Sequence, residues 1–554
     1  MHGRGGRSTL VYNGEIFNYL DLKSLLEGRG HRFSSTSDTE VVLAAYDEWG
    51  EDFLSHLDGM FALALYDARD AKLLLARDRA GEKPMFYRLA PGEIRFASEL
   101  KALLADPALP RVVDPAALDC YLGIGFVPGE RCILQGFSKL PPAHALAFDL
   151  ATGNTRHWRY WDIPPPPDAE MDEAALLDEL EQTLQSAVRR QLVADVPVGI
   201  LLSGGVDSSL VTALATRTAP DVRTFTIGFP DQPDMDETAH ARLIANHFGT
   251  RHVELMAEPA TADLLPLLAR QFDEPVIDSS MIPTFLVNRL VREHCTVALG
   301  GDGGDELFGG YSHYSRMLWL REKTRHVPRP ILAAAGHIAG RVLPVGFKGR
   351  NWMRALATDM ERGVPIIASY FGPSERGTLL KTGRLPGIAE RTLQDSIGDE
   401  RDLLERATRL DFRTYLPEDI LVKSDRASML NSVEVRAPFL DRTMIEFAYG
   451  RVPARLKSSP TDRKILLKRL SQRLLPPEFD RKRKQGFSIP MRRWMQEGPF
   501  RRFFEETLYD DGCAFDQRTV RRLFQGIDRG HGNGERMFGL VMFEQWRKAY
   551  GVTL

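Results

Sequence analysis

The chain has 554 residues, enough for three or four domains of about 150 residues each, or for two large ones. A hydrophobic fraction of 43% and a charged fraction of 27% exclude a disordered or fibrous chain. A net charge of −3 gives no reason to expect nucleic acid or a membrane as a partner.

Up to about residue 108 the pattern is of short strands with helices between them. Strands are predicted over Ser8–Tyr12, Phe61–Tyr66, Lys72–Ala76 and Pro84–Tyr87, and helices over Tyr19–Gly28 and Thr39–Trp49. This spacing suggests an antiparallel or mixed layered sheet. Residues 109–170 read as a linker, because Pro110, Pro115, Pro128, Pro141, Pro142 and the run Pro164–Pro167 interrupt any regular element.

From residue 171 to 554 the pattern changes. A helix over Leu176–Leu192 leads into an apolar strand, Val196–Leu202. Then follow a helix (Leu210–Ala215), a strand (Arg223–Phe229), a helix (Glu237–Phe248) and strands at His252–Met256 and Thr296–Leu299. Continuous apolar strands alternating with helices predict a buried parallel sheet, so the fold class is α/β with an α+β N-terminal part. From Arg316 onward the pattern is mainly helical. Ile331–Val345 is the most membrane-like stretch, but His337 and Arg341 interrupt it and it is too short to span a bilayer. Met1–Arg7 has no apolar core of a signal peptide. Cys120, Cys132, Cys295 and Cys513 form no CxxC pair, which points away from zinc and disulfides toward a reducing, cytoplasmic setting.

The strand Val196–Leu202 ends directly in SGGVDSS, Ser203–Ser209. Gly204 and Gly205 permit a tight turn and close approach of backbone N–H groups to an anion. The following helix start adds free amides and its positive dipole, and Ser203, Ser208 and Ser209 add hydroxyl donors. Such a loop suits pyrophosphate. Asp207 fits there if it faces a Mg²⁺ ion bridging phosphates. The pattern is neither GxxxxGK[ST] nor GxGxxG. A second glycine cluster, GGDGGDELFGGY, follows the strand Thr296–Leu299. Ligands gather at the carboxyl ends of parallel strands, so both loops can face one crevice. Asp302, Asp305 and Glu306 add carboxylates, with Asp305 a natural second Mg²⁺ ligand.

These motifs extend nearly end to end: NGEIFNY (Asn13–Tyr19), SDTEVVLAAY (Ser37–Tyr46), LDGMFALALYD (Leu57–Asp67), LLLARDRAGEKPMFY (Leu73–Tyr87), SGGVDSS, TFTIGF (Thr224–Phe229), GDGGDELFGGY, EVRAPFLD (Glu434–Asp441) and RKQGFS (Arg483–Ser488). With them the chain resembles the glutamine-hydrolysing asparagine synthetases of the class II amidotransferase type. The resemblance implies an N-terminal-nucleophile glutaminase sandwich over residues 1–108. It also implies an ATP-pyrophosphatase synthetase domain with a doubly wound parallel sheet over 171–554. ATP and aspartate would form a β-aspartyl-AMP, which ammonia attacks. By motif, Leu202 and Ile227 would contact adenosine, Gly300 and Gly301 would lie along the nucleotide, and Asp207 and Asp305 would hold Mg²⁺–pyrophosphate. Lys484 would stabilise charge on the phosphate and acyl carbon. Asn13 and Gly14 match oxyanion donors, and Glu15 and Asp38 match groups that bind the glutamine ammonium and amide. The small-molecule partners are thus ATP, a carboxylate, ammonia and glutamine; a homodimer is compatible with the sequence.

Two departures qualify the resemblance. The family's glutaminase begins Met-Cys-Gly, its Cys acting as nucleophile with its own α-amine as base. This chain begins Met1-His2-Gly3 and enters the pattern just ahead of NGEIFNY, without the opening strands. The expectation is ammonia-dependent activity only, with a sheet edge left exposed. A start Met chosen too far downstream explains this most simply; a degenerate glutaminase is the alternative. Second, Asp302 stands where asparagine synthetases often place a Glu that assists adenylate formation. Amidation of another carboxylate, on a saccharide or secondary metabolite, therefore stays open. So do intramolecular closure, as in β-lactam synthetases and lasso-peptide cyclases, and a non-catalytic homologue.

Overall fold

The computed structural model describes residues 1–3, 6–167, 171–228, 236–257, 261–381, 383–482 and 491–554. The N-terminal part contains β1 (Ser8–Ile16), β2 (Gly59–Asp67), β3 (Lys72–Arg77), β4 (Phe86–Ala90), β5 (Glu93–Ala97), β6 (Ser138–Lys139), β7 (His144–Asp149) and β8 (Thr155–Arg159). An antiparallel sheet of order β1-β2-β3-β7-β8 packs on a smaller one of order β5-β4-β6.

The run of apolar residues in β2 is buried on both faces. Phe61, Leu63 and Leu65 meet Leu22 and Leu26 of helix Tyr19–Gly28 and Val41 and Val42 of helix Asp38–Trp49. Ala62 and Ala64, alternating with them, pack in a cluster with Phe148 of β7 and with Met85 and Tyr87 from the layer of the small sheet. A strand covered on both sides needs no polar face, which is why its sequence does not alternate. β1 stands at the sheet edge with Val11 62% exposed.

Residues 109–170 differ from the linker expected from their prolines. Pro115 opens helix Pro115–Ile124, capped by the Asp114 carboxylate. β7 pairs with β3, and β8 closes the N-terminal sheet. The other prolines lie between elements, where a missing N–H removes no ladder bond. Trp161–Pro167 lack helix or strand, as do the turns that join these elements.

The C-terminal part is built on β9 (Val198–Leu201), β10 (Arg223–Gly228), β11 (Arg251–Met256), β12 (Val297–Leu299) and β13 (Glu434–Arg436), all parallel, in the order β11-β10-β9-β12-β13. Helix Glu173–Gln191, capped by Asp172, lays Leu176, Leu180, Leu184 and Ala187 against this sheet's core at helical spacing. From Ser312 on, the chain is mainly helical apart from β13, which three residues were too few to announce. The strand order reverses between β9 and β12. Their carboxyl-end loops therefore open on a shared crevice.

Candidate active site

A cavity of about 650 Å³ occupies that crevice. The loop after β9 contributes Leu202, Ser203, Gly204, Gly205, Asp207 and Ser208; Ile227 comes from β10; Gly300, Gly301, Asp302 and Asp305 follow β12. Ser209 and Glu306, also expected at this crevice, are buried and do not line the cavity.

Gly204 turns the chain at φ +72°, where a Cβ would stand 2.6 Å from Cβ of His240. Gly205 then caps helix Val206–Thr218, directing its first amides at the crevice. The hydroxyls of Ser203 and Ser208 lie 3.1 Å apart, and the Gly205 N–H donates to Ser203 Oγ at 3.3 Å. The second loop closes tightly on the first. A Cβ on Gly304 would lie 2.8 Å from Cγ of Asp207, so a side chain there would push the two loops apart.

Lys464 joins the loops. Its ammonium lies 2.7 Å from Asp305 Oδ1 and bonds Asp207 Oδ2. Burial opposes the charge, but Asp207 and Asp305 outweigh it and hold the ammonium above its ordinary pKa. Lys464 adopts φ +52°, a left-handed conformation uncommon for a side-chain-bearing residue. Arg463, Lys468, Arg481 and Lys482 also line the cavity, making this end cationic.

The other wall is acidic. Asp302 accepts from Ser424 Oγ at 2.9 Å; burial raises its carboxyl pKa, with the Ser424 bond opposing. Lys423 donates to Asp278 at 2.7 Å and to Ser280 at 2.9 Å. Burial pushes Asp278 up, but the Lys423 charge and these hydrogen bonds leave it below the usual carboxylate range. Glu535 accepts from Ser279 at 2.7 Å and is pushed up to about 7, chiefly by burial. Asp419 is raised well above its ordinary value by burial and then by the Asp278 charge.

The expected glutamine-binding residues lie elsewhere. Asn13 donates to Ser98 Oγ at 3.1 Å, and Gly14 pairs with Phe61 of β2. Glu15 stands 3.5 Å from Arg436 of β13, an ion pair between the two parts of the chain. Burial lifts Glu15 to about 7 against the pull of Arg436. Asp38 accepts from the Tyr12 hydroxyl at 2.8 Å and the Ile16 N–H at 3.0 Å, so it ties helix Asp38–Trp49 to β1. The four cysteines are free and buried, with thiols pushed up by burial, to about 11 for Cys120 and Cys513.

Lys484 lies outside the described residues. Sequence reasoning missed Lys464, Lys423, Asp278, Asp419 and Glu535. None sits in a glycine-rich loop, and a lone charged residue carries no signal of its own.

The family model for asparagine synthase matches residues 179–548. The chain belongs to the asparagine synthase family. A glutamine amidotransferase domain model matches residues 1–161. Asparagine synthetase [glutamine-hydrolyzing] 1 of Bacillus subtilis is 32% identical over 491 residues, 88% of this chain and 76% of that protein. A putative asparagine synthetase [glutamine-hydrolyzing] of Mycobacterium tuberculosis is 34% identical over 562 residues, covering 98% and 85%. Amidase chyE of Penicillium rubens is 28% identical over 553 residues, covering 92% and 80%. The chain is therefore a ligase of the ATP-dependent, glutamine-hydrolysing asparagine synthetase type, and its reaction class is amidation of a carboxylate. Among the described residues no helix is long and apolar enough to cross a membrane.

Proposed function

We propose that this chain converts aspartate to asparagine through a β-aspartyl-AMP, releasing AMP and pyrophosphate, with ammonia as the attacking nitrogen. Residues up to about 161 would form the glutaminase-type part and residues from 171 the ligase. The observation that carries the proposal is the meeting of Asp207 and Asp305 across Lys464 in the crevice between β9 and β12.

The donor set fits Mg²⁺. Two carboxylates on glycine-rich loops supply hard oxygen ligands, and Mg²⁺ bound to a nucleotide commonly takes only one or two from protein. No group of three or more His, Cys, Asp or Glu that would hold a metal alone occurs among the described residues. When bound, the ion would neutralise charge on the phosphates. The chain's own groups would do the rest. Amides at the start of helix Val206–Thr218 and the hydroxyls of Ser203 and Ser208 would cradle pyrophosphate. Arg463, Lys464 and Lys468 would draw in the polyphosphate. Leu202 and Ile227 would hold the adenosine, Gly300 and Gly301 would flank the nucleotide, and Asp302 would sit beside the carboxylate that attacks the α-phosphate. Lys484 would steady the developing charge. Ammonia from solution fits the 554 residues given because the four thiols are buried and their pKa values raised. Four free cysteines also support a reducing, cytoplasmic setting.

A second reading keeps the chemistry and changes the acceptor. Asp302 in place of the longer Glu, together with the similarity to amidase chyE, favours it. Pyrophosphate release with MgATP and ammonium chloride decides between them. Release with aspartate supports the first reading. Release only with other carboxylic acids supports the second, and no release with any acid sinks both.

A further inference from the structure

The acidic wall of the cavity holds one group whose chemistry is incomplete. Asp419 sits on a π-helical turn, Leu416–Ile420, inserted ahead of helix Leu421–Met429. Such turns are rare and redirect a side chain. Here the turn sets Asp419 in the cavity lining while the residue is only 3% exposed. Its Oδ1 is buried and has no hydrogen-bond partner among the described residues. A buried acceptor left unmatched is destabilising, so a donor delivered by a ligand is the natural complement.

The neighbouring N–H and O–H donors do not supply it, and the Asp278 carboxyl beside Asp419 can bond it only through a shared proton. Lys423, four residues on, gives its hydrogen bonds to Asp278 and Ser280. The Tyr370 hydroxyl donates to the Ile277 carbonyl at 2.7 Å. Asp278 and Glu535 add two more carboxyl groups to the same wall. Among the described residues, three carboxyl groups thus face the single Lys423 ammonium on this wall, and Asp419 Oδ1 lacks a donor. An ammonium group offers three N–H donors and a unit charge.

We propose that Asp419, with Asp278 and Glu535 beside it, forms a subsite for a protonated amine in the acceptor half of the cavity, which presupposes the adenylation reading above. The subsite adjoins the reacting centre, because Ser424, one residue past Lys423, bonds Asp302 of the loop after β12. The amine has two sources: an ammonium group on the acceptor acid, or free ammonium ion as co-substrate. On the acceptor it orients the acid so that its distal carboxylate meets the nucleotide. As free ammonium it places the incoming nitrogen.

ATP–pyrophosphate exchange tests the first source, since exchange needs an acid but no ammonia. Wild type, Asp419→Asn and Glu535→Gln are compared with aspartate, succinate and N-acetylaspartate. AMP formation at saturating acid and varied ammonium chloride tests the second. Circular dichroism and the KM for ATP check that each variant is folded. If the acceptor carries the amine, wild type exchanges at least tenfold better with aspartate than with succinate. Asp419→Asn then raises the KM for aspartate tenfold or more. If ammonium occupies the subsite, the KM for ammonium rises tenfold and that for the acid does not. Folded Asp419→Asn and Glu535→Gln with both KM values within twofold of wild type would overturn the subsite while adenylation stands. Wild type that exchanges with no acid overturns adenylation, and the subsite with it.

Discussion

The ammonium of Lys464 lies 2.7 Å from Oδ1 of Asp305 and also bonds Asp207 on the neighbouring loop, which is 257 residues away in sequence from Lys464. One buried cation thus offsets the repulsion between two carboxylates that face each other across the crevice.

Lys464→Met is expected to remove a charge shared by two carboxylates, at a cost of roughly 3–5 kcal/mol, as for other broken buried pairs. Divalent cation should then substitute for the lost charge. Millimolar MgCl2 is expected to raise the melting temperature of the variant more than that of wild type. Equal Mg²⁺ shifts in the two proteins would contradict the charge-compensating role.

Asp207→Ala should abolish pyrophosphate release while the fold survives, because the side chain reaches the cavity rather than the apolar core. Normal turnover by a folded variant would refute the proposed Mg²⁺–pyrophosphate role.

Gly204→Ala meets two obstacles at once: a backbone at φ +72° and His240 Cβ at 2.6 Å from the new methyl group. The loop must shift, so the KM for ATP should rise at least tenfold, with about 1–3 kcal/mol lost in stability. An unchanged KM would show that the loop does not grip the nucleotide.

Glu306 is 1% exposed, accepts from the Tyr311 hydroxyl at 2.7 Å and has its carboxyl pushed up to about 8, chiefly by burial and then by the Asp305 charge. The folded state therefore holds its proton more tightly than the unfolded state. This contribution to stability is full below the ordinary value of 4.5 and is lost as pH rises through about 8. Glu306→Gln mimics the neutral acid and should remove that dependence. At about 1.4 kcal/mol per pKa unit, the variant should gain roughly 4 kcal/mol on wild type across the interval. Melting curves at pH 5, 6.5 and 8 give the comparison; a constant difference would show that Glu306 does not titrate there.

Glutamine is expected not to replace ammonia in the 554-residue chain. Glutamate release on adding glutamine, measured with and without MgATP, checks this; appreciable release would mean that some group does act as nucleophile at Asn13 and Gly14.

Much of the site was legible because its signals are local. An apolar strand followed at once by Ser203–Ser209, and another by Gly300–Tyr311, dictates strand, turn and helix within a dozen residues each. Parallel pairing then obliges both loops to share one edge of the sheet. Residues 109–170 misled for the opposite reason. Their prolines are visible in the sequence, while the pairing of β7 with β3 depends on partners some 70 residues away.

By itself, then, the sequence determined the two glycine loops, the class of sheet that carries them and the family they belong to, because backbone freedom and strand burial are written residue by residue. Only the tertiary structure decided which charges meet. It brought Lys464 to Asp207 and Asp305, set Glu15 against Arg436 across the two parts of the chain, and turned Asp419 into the cavity. Charge partners are selected by packing across hundreds of residues, and a lone Lys or Asp in a helical stretch has the same local pattern whether it faces water or a buried carboxylate.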